Sequence, residues 1–118
     1  MKFRVLAALA LLALAACTPV VTPMGPRSVT PELRIDRIVA ADGAELPLTI
    51  WRPAGEPRAA ILALHGFNDY SAAFMDPAES WAKQGVIVYA YDQRGFGRAP
   101  RFGMWAGIET MTADIEAA

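Results

Sequence analysis

Two short stretches hold the residues best suited to chemistry in this 118-residue chain. In the first, Ile61–Phe67, four apolar residues lead into His-Gly-Phe, and His65 is the single histidine of the chain. The second, Asp92–Gly97, combines an Asp, an Arg and two glycines in a form that could resemble a phosphate cradle. It lacks both the G-x-G-x-x-G spacing and a following Lys-Ser/Thr pair, so the sequence argues against nucleotide binding.

The apolar run of Ile61–Leu64 is typical of a strand buried on both faces of a parallel sheet. Gly66 lacks a Cβ and allows the chain to turn sharply directly after that strand. The carboxyl edge of an open α/β sheet is where such folds bind ligands. The sequence therefore predicts a site where this strand ends.

The rest of the chain predicts the elements that would position this edge. Apolar and polar residues alternate over Leu33–Ala40, as in a strand exposed on one face. Asp42-Gly43 is a hairpin turn signal. In the second strand, Pro47 suggests an edge position or a strand end. A βαβ unit follows, in which Ser71 can cap a first turn through Ala72–Met75. Asp76 is the better helix N-cap, and Gly85 is the expected stop. We also expect Met104 and Trp105 to pack inward. The predicted strands and helices are Leu33–Ala40, Glu45–Trp51, Ala59–Leu64, a helix from Asp76 to Gly85, Val86–Tyr91 and a helix beginning in Glu109–Ala118.

Composition limits the functional classes. The chain is 54% hydrophobic and 19% charged with a formal net charge of −1, which excludes a disordered chain and gives no argument for nucleic-acid binding. Cys17 is the single cysteine, so an intrachain disulfide is impossible. We find no metal-ligand spacing in the sequence.

The N-terminus has the pattern of an export signal. Lys2 and Arg4 precede the apolar run Val5–Ala16, which is too short to span a bilayer as a helix. Leu14-Ala15-Ala16-Cys17 resembles the lipobox of bacterial lipoproteins, which implies cleavage before Cys17 and lipidation of its thiol. The alternative is an ordinary signal peptide that happens to end at a cysteine. The lipoprotein interpretation implies a lipid-anchored protein of the cell envelope, at the periplasmic side of the outer membrane.

Residues 17–31 are rich in proline, and we interpret them as an extended tether. The predicted organisation is therefore a signal peptide at 1–16, a tether at 17–31 and a folded domain at 32–118. Removal of the signal leaves a net charge of −3, so attachment to anionic lipid would depend on the acyl chains.

The pair of motifs, at the ends of two consecutive buried strands and 27 residues apart, resembles the alpha/beta-hydrolase superfamily. Within it the match is to the monoacylglycerol lipase and lysophospholipase-like branch, which shares a profile with serine aminopeptidases. The resemblance covers residues 33–118 and implies an α/β fold: an antiparallel hairpin, a βαβ unit and the start of a further helix.

The resemblance also implies roles for individual residues. The backbone N–H of Phe67 would contribute to an oxyanion hole, which stabilises the negative charge that develops on the substrate oxygen. His65 and Gly66, with Asp92, Arg94, Gly95 and Gly97, would shape the two loops and would not be catalytic. The family nucleophile lies on a G-x-S-x-G elbow and precedes the acid and the base of the triad. None of Ser28, Ser71 and Ser80 has that context, so no triad member is expected within the chain.

The chain therefore corresponds to the N-terminal part of a lipase-type serine hydrolase, which needs no cofactor, and by itself it is predicted to be inactive. The resemblance implies a sheet in the order first, second, fourth, third, fifth, in which the third strand pairs with a fifth that is not found here. Its edge would be open, which predicts self-association or aggregation.

Three alternatives remain open. Epoxide hydrolases share both motifs but use an Asp nucleophile, and they usually continue His-Gly-Phe with Pro, whereas Asn68-Asp69-Tyr70 follows here. A complete, non-catalytic lipoprotein could bind a partner through the open sheet edge. A fragment of a gene would have the family resemblance and no function of its own.

Overall fold

The computed structural model describes residues 20–118 of the chain. Cys17 and the predicted signal peptide lie outside this range. Within it, five strands, a 3₁₀ turn and two α-helices follow one another along the chain. They are β1 (Glu32–Leu33), β2 (Arg37–Val39), β3 (Glu45–Trp51), β4 (Ala59–Ala63), the 3₁₀ turn (Ser71–Phe74), α1 (Met75–Lys83), β5 (Val86–Tyr91) and α2 (Ile108–Glu116).

The strands form one sheet in the order β1-β2-β3-β5-β4. β1, β2, β3 and β5 pair antiparallel in turn, whereas β4 and β5 run parallel with Ile61 opposite Val88. The connection through α1 makes the expected βαβ unit. Among residues 20–118, no strand pairs with the outer edge of β4.

β5 divides the core because its side chains alternate between the two faces of the sheet. Val86, Val88 and Ala90 pack with Ala63 of β4 and Ala78 of α1. Tyr91 lies on the opposite face, in a cluster whose other buried members are Ile38, Leu46, Leu48 and Ala99. The apolar run of β5 thus fits a strand that is covered on both faces.

The prediction of one strand over Leu33–Ala40 is wrong. The chain reverses between β1 and β2, where the Arg34 N–H donates to the Arg37 carbonyl at 2.8 Å. Ile35 lies at this bend and is 80% exposed. The alternation of apolar and polar residues in this stretch therefore reflects two short paired strands and the turn between them, and not one continuous strand.

Pro47 does not mark an edge strand, because β3 lies between β2 and β5. β2 pairs with β3 as far as Pro47, and β5 pairs with it from Leu48 onward. The proline occupies the point where the pairing partner changes. Its carbonyl still accepts a hydrogen bond from the Asp92 N–H at 2.8 Å.

The start of α1 also differs from the prediction. The 3₁₀ turn leads directly into the helix, so Phe74 is the N-cap and Asp76 lies in the first turn. Pro77 is tolerated there because the first N–H groups of a helix have no intrahelical partner. Gly85 ends the helix as predicted, with φ of +85°.

Residues 20–31 contain no helix or strand apart from a bridge between Val21 and Trp105. Much of this segment is nevertheless hydrogen-bonded to the domain, which is not expected of a free linker. None of the helices in residues 20–118 is long and apolar enough to cross a membrane.

Candidate functional site

The two motifs meet at the carboxyl ends of β4 and β5. The Gln93 N–H donates to His65 Nε2 at 2.9 Å, and Gln93 Nε2 donates to the His65 carbonyl at 2.6 Å. His65 Nδ1 lies 2.9 Å from the Gly66 carbonyl oxygen. Because Nε2 accepts a hydrogen bond, the network assigns the ring proton to Nδ1. Nε2 thus joins the two loops, while Nδ1 holds the ring to its own turn at Gly66.

Phe67 projects from this junction and is 83% exposed. Its ring meets Phe96 edge to face at 5.4 Å between centroids, and Phe96 meets the His65 ring in the same way at 5.6 Å. Such pairs stabilise by about 1 kcal/mol beyond their buried area. This aromatic stack holds the His-Gly-Phe turn against the glycine-rich loop.

Phe67 lines two small cavities. One, of about 160 Å³, is lined by His65, Gly66, Gln93 and Met111 with Phe67, Phe96 and Trp105. The other, of about 200 Å³, is lined mainly by the apolar side chains of Phe102, Met104 and Trp105, again with Phe67 and Phe96. The Phe67 N–H makes no hydrogen bond to any of residues 20–118. A donor without a partner beside a cavity can bind an oxygen atom of a ligand.

Asp92 begins the second loop and is completely buried. Its Oδ1 accepts from the Ser71 N–H at 2.9 Å and the Ser71 hydroxyl at 2.6 Å, and its Oδ2 accepts from the Arg98 N–H at 2.9 Å. Burial by itself raises the pKa of Asp92, but these donors outweigh it and leave the pKa below its ordinary value. The carboxylate therefore stays ionised and binds the loop to the start of the 3₁₀ turn.

Arg94 is buried between two carboxylates. Its Nε and Nη2 donate to Asp114 of α2 at 2.9 and 2.7 Å, and its Nη1 and Nη2 donate to Asp42 of the β2–β3 hairpin at 2.8 and 3.1 Å. These contacts raise the pKa of Arg94 despite its burial. We call Asp42, Arg94 and Asp114 the buried ion cluster.

The sequence predicts that Arg94 shapes its loop, but it does not predict either of its partners. In the sequence, Asp42 indicates only a turn and Asp114 only part of a helix. The available signal was the pair Thr110 and Asp114, whose spacing of four puts two polar residues on one helix face. Both are buried.

The glycines of the second loop meet steric demands. Gly95 and Gly97 have φ values of +88° and +54°. A Cβ on Gly95 would overlap the Met104 carbonyl, and one on Gly97 would lie 2.5 Å from Asp92 Oδ2. Both positions therefore require glycine.

The expectation that Met104 and Trp105 pack inward is wrong. They are 49% and 37% exposed, and both line the second cavity. No group of three or more His, Cys, Asp or Glu within residues 20–118 is placed to hold a metal ion.

This sheet, with its two motif loops at one edge, is the N-terminal part of an alpha/beta-hydrolase fold. It is similar to a lipase solved in an open form, with a TM-score of 0.57 and 23% identity over 70% of this chain and 28% of the lipase. An esterase from Exiguobacterium antarcticum gives a TM-score of 0.53 and 22% identity over 69% of this chain and 29% of the esterase. At these identities the likeness concerns the fold.

The family follows from the sequence profile. Residues 55–118, more than half of the chain, match the profile of the serine aminopeptidase, S33, family, and the chain belongs to that family.

Curated relatives agree with this assignment. The chain is 30% identical over 57 residues to the monoacylglycerol lipase of Mycolicibacterium smegmatis, which covers 48% of this chain and 20% of the lipase. It is 31% identical over 74 residues to the human monoglyceride lipase, which covers 63% of this chain and 24% of the lipase. The chain thus spans about a fifth to a quarter of the length of these relatives.

Proposed function

We propose that this chain supplies the N-terminal part of a serine hydrolase that cleaves carboxylic esters of lipids, such as monoacylglycerols or lysophospholipids. The family and the relatives named as monoacylglycerol lipases support the class of substrate. In such a reaction a serine attacks the ester carbonyl, the alcohol leaves, and water releases the acyl group from the serine. The described residues would contribute to charge stabilisation in this scheme.

The observation that carries the proposal is the position of the Phe67 N–H. Phe67 lies where the end of β4 meets the glycine-rich loop and lines two cavities, and its N–H has no partner among residues 20–118. A preorganised donor of this kind stabilises the oxyanion of a tetrahedral intermediate. We assign it as one of the two donors of an oxyanion hole.

The other motif residues have structural roles in this proposal. His65 has no ring nitrogen left for proton transfer, since Nδ1 and Nε2 contact the Gly66 carbonyl and the Gln93 N–H. Asp92 and Arg94 are enclosed by their partners, and Gly66, Gly95 and Gly97 provide the turns. The hydroxyl of Ser71 donates to Asp92 and is buried, so it is not a nucleophile.

The 118-residue chain, purified alone, is expected to be inactive because it has no G-x-S-x-G elbow. Hydrolysis of p-nitrophenyl esters should not exceed the buffer rate, and a fluorophosphonate probe should label no serine. Turnover above background, or labelling of Ser28, Ser71 or Ser80, would contradict the assignment.

The oxyanion role is tested in the product of the gene read beyond codon 118, where we expect a G-x-S-x-G sequence. Phe67→Pro removes the N–H and should lower kcat about 10²–10³-fold with a smaller change in KM. Phe67→Leu keeps the N–H and is the matched control, expected to stay within about tenfold of the parent. An equal decrease in kcat for the two variants would refute the assignment. An Asp in place of the elbow Ser would instead indicate an epoxide hydrolase.

The unpaired edge of β4 supports a second candidate, a non-catalytic lipoprotein that binds a partner through this edge. A natural stop codon directly after codon 118, together with a stable dimer in solution, would favour it over the hydrolase.

For location, we propose lipidation of Cys17 and residence at the periplasmic face of the outer membrane. The support is the lipobox-like sequence Leu14–Cys17 after an apolar run. Two or more acyl chains make a stable anchor where one would be marginal. Mass spectrometry of the N-terminal peptide is the direct measurement.

A further inference from the structure

Residues 21–29, which we call the strap, lie against the domain beside the candidate site. The Thr22 N–H donates to the Trp105 carbonyl at 2.7 Å, and the Met24 N–H donates to Thr110 Oγ1 at 3.1 Å. Arg101 Nη1 donates to the Pro23 carbonyl at 2.6 Å. The Gly25 N–H donates to Asp42 of the buried ion cluster at 2.9 Å. The strap is thus bound to the loop before α2, to α2 itself and to the hairpin.

An exposed apolar surface surrounds the start of the strap. We call it the apolar rim, and its residues are Val21, Phe102, Met104, Trp105 and Ile108. Val21 bridges to Trp105 and its Cγ1 lies against Gly107, which precedes Ile108. Phe102, Met104 and Trp105 line the 200 Å³ cavity beside Phe67. The rim is therefore continuous with one mouth of the candidate site. A contiguous exposed apolar patch of this kind marks an interaction surface.

What covers the rim can be inferred from the short segment of chain between the rim and the proposed anchor at Cys17. Val21, where the strap begins, comes four residues after Cys17. An extended chain spans at most about 3.6 Å per residue, so the two Cα atoms are no more than about 14 Å apart. Because the strap is bound from Val21 onward, a bilayer holding the acyl chains must lie within about this distance of the rim.

We propose that the apolar rim rests on the lipid bilayer, with the Phe67 cavity opening toward it. Trp side chains favour the membrane interface, and Trp and Phe form the buried face of segments that lie in it. The net charge of the processed chain is −3, so electrostatic attraction to anionic lipid contributes little. The contact is apolar, and a lipid substrate would pass from the bilayer to the site without crossing bulk water. This inference rests on the proposed anchor at Cys17.

The test uses the lipidated 118-residue chain, whose tryptophans are Trp51, Trp81 and Trp105, reconstituted in phosphatidylcholine vesicles with some of the lipid brominated near the headgroup. A variant with Trp51→Phe and Trp81→Phe reports only on Trp105. We expect brominated lipid to quench its fluorescence at least twofold, equally at low and high salt. The control, with Trp51→Phe and Trp105→Phe, reports on Trp81 of α1, which is partly buried against the core cluster. It should be quenched little.

A second measurement keeps all three tryptophans. Cysteines are introduced by Ile108→Cys on the rim or by Ile35→Cys at the β1–β2 turn, two isoleucines that are 74% and 80% exposed. Each is labelled with a polarity-sensitive fluorophore. Only the label at position 108 should shift to the blue on vesicles.

Release of the strap tests its part in the orientation. Thr22→Pro removes the N–H that donates to Trp105, whereas Thr22→Ala keeps it. We expect the first variant to lose at least half of the Trp105 quenching with lipidation unchanged, and the second to behave as the parent.

The outcomes separate the two proposals. An anchored protein whose Trp105 and position-108 label both remain in water overturns the bilayer-facing rim and leaves the anchor intact. A chain without lipid on Cys17 that does not bind vesicles overturns both.

Discussion

Gly97 and Gly103 both adopt a positive φ, but only Gly97 has close neighbours where a Cβ would lie. Gly97→Ala brings a methyl group to 2.5 Å from Asp92 Oδ2, whereas the corresponding methyl at Gly103 meets nothing within 4 Å. Left-handed backbone costs a non-glycine residue about 1–2 kcal/mol in both cases. Overlap with a packed group adds about 1–3 kcal/mol for Gly97 alone.

We therefore expect Gly97→Ala to lower the free energy of unfolding more than Gly103→Ala does. Urea titration at one fixed chain concentration measures the difference, since self-association changes apparent stability. Equal decreases in the free energy of unfolding for the two variants would show that a shift of the Asp92 loop accommodates the methyl group at position 97.

The pKa of Asp42 makes stability depend on pH. Burial by itself raises this pKa, but hydrogen bonds from Arg94 and from the Gly25 and Ala44 N–H groups outweigh it and lower the pKa to about 2. A group whose pKa is lowered by folding stabilises above its unfolded value, near 3.8, and that stability is lost as the pH falls through the folded value.

We expect Asp42 to contribute about 2 kcal/mol above pH 4 that declines toward pH 2, given about 1.4 kcal/mol per pKa unit. In Asp42→Asn this part of the pH dependence should disappear. Asp36→Asn is the control, because Asp36 also pairs with an arginine, Arg37, at 2.7 Å, but in an exposed position. A parent-like pH profile for Asp42→Asn would contradict the assignment.

Among the elements, the buried side chain of Arg94 joins the hairpin to α2. Arg94 binds Asp42 and Asp114, while the exposed Arg37 also binds two carboxylates, Asp36 and Glu45. The two arginines thus have the same number of partners and differ in burial. A lysine cannot reproduce the planar fork that reaches both carboxylates, and buried charges left unpaired are costly.

We expect Arg94→Lys to lower the free energy of unfolding by about 3–5 kcal/mol and Arg37→Lys by less than about 1 kcal/mol. Denaturant unfolding measures both changes. Hydrogen exchange should also accelerate in α2 for Arg94→Lys alone. Similar decreases in the free energy of unfolding for the two variants would mean that burial does not determine how much the buried ion cluster stabilises the fold.

At the scale of the whole molecule, β4 presents an open edge and a bare face. Ile61 and Ala63 face the core beneath α1, whereas Leu62 and Leu64 are 38% and 40% exposed on the opposite side. No strand among residues 20–118 covers the edge. An open apolar edge of this kind promotes pairing with a second chain.

The chain of residues 17–118 is therefore expected to associate in solution. Leu62→Lys should shift its mass, measured by light scattering after size exclusion, toward the monomer. Leu33→Lys replaces a similarly exposed leucine in β1 and should have little effect. A monomeric parent with a cooperative thermal transition would refute self-association through this edge.

Local patterns in the sequence predicted much of the architecture. Continuous apolar runs predicted β4 and β5, and Asp42-Gly43 predicted the hairpin, because burial on both faces and a positive φ impose direct demands on residue type. The family resemblance predicted the order of these strands, and the sheet confirms it. The single strand over Leu33–Ala40 failed because a tight turn between two short strands produces the same alternation as one longer strand.

The sequence alone determined the family and the two motif loops, since both depend on residues adjacent in the chain. Only the tertiary structure decided the partners of Arg94, which lie 52 and 20 residues away at Asp42 and Asp114. It also decided that residues 21–29 lie against the domain and that Trp105 is on a surface. These features depend on contacts between distant segments, which local composition and spacing do not encode.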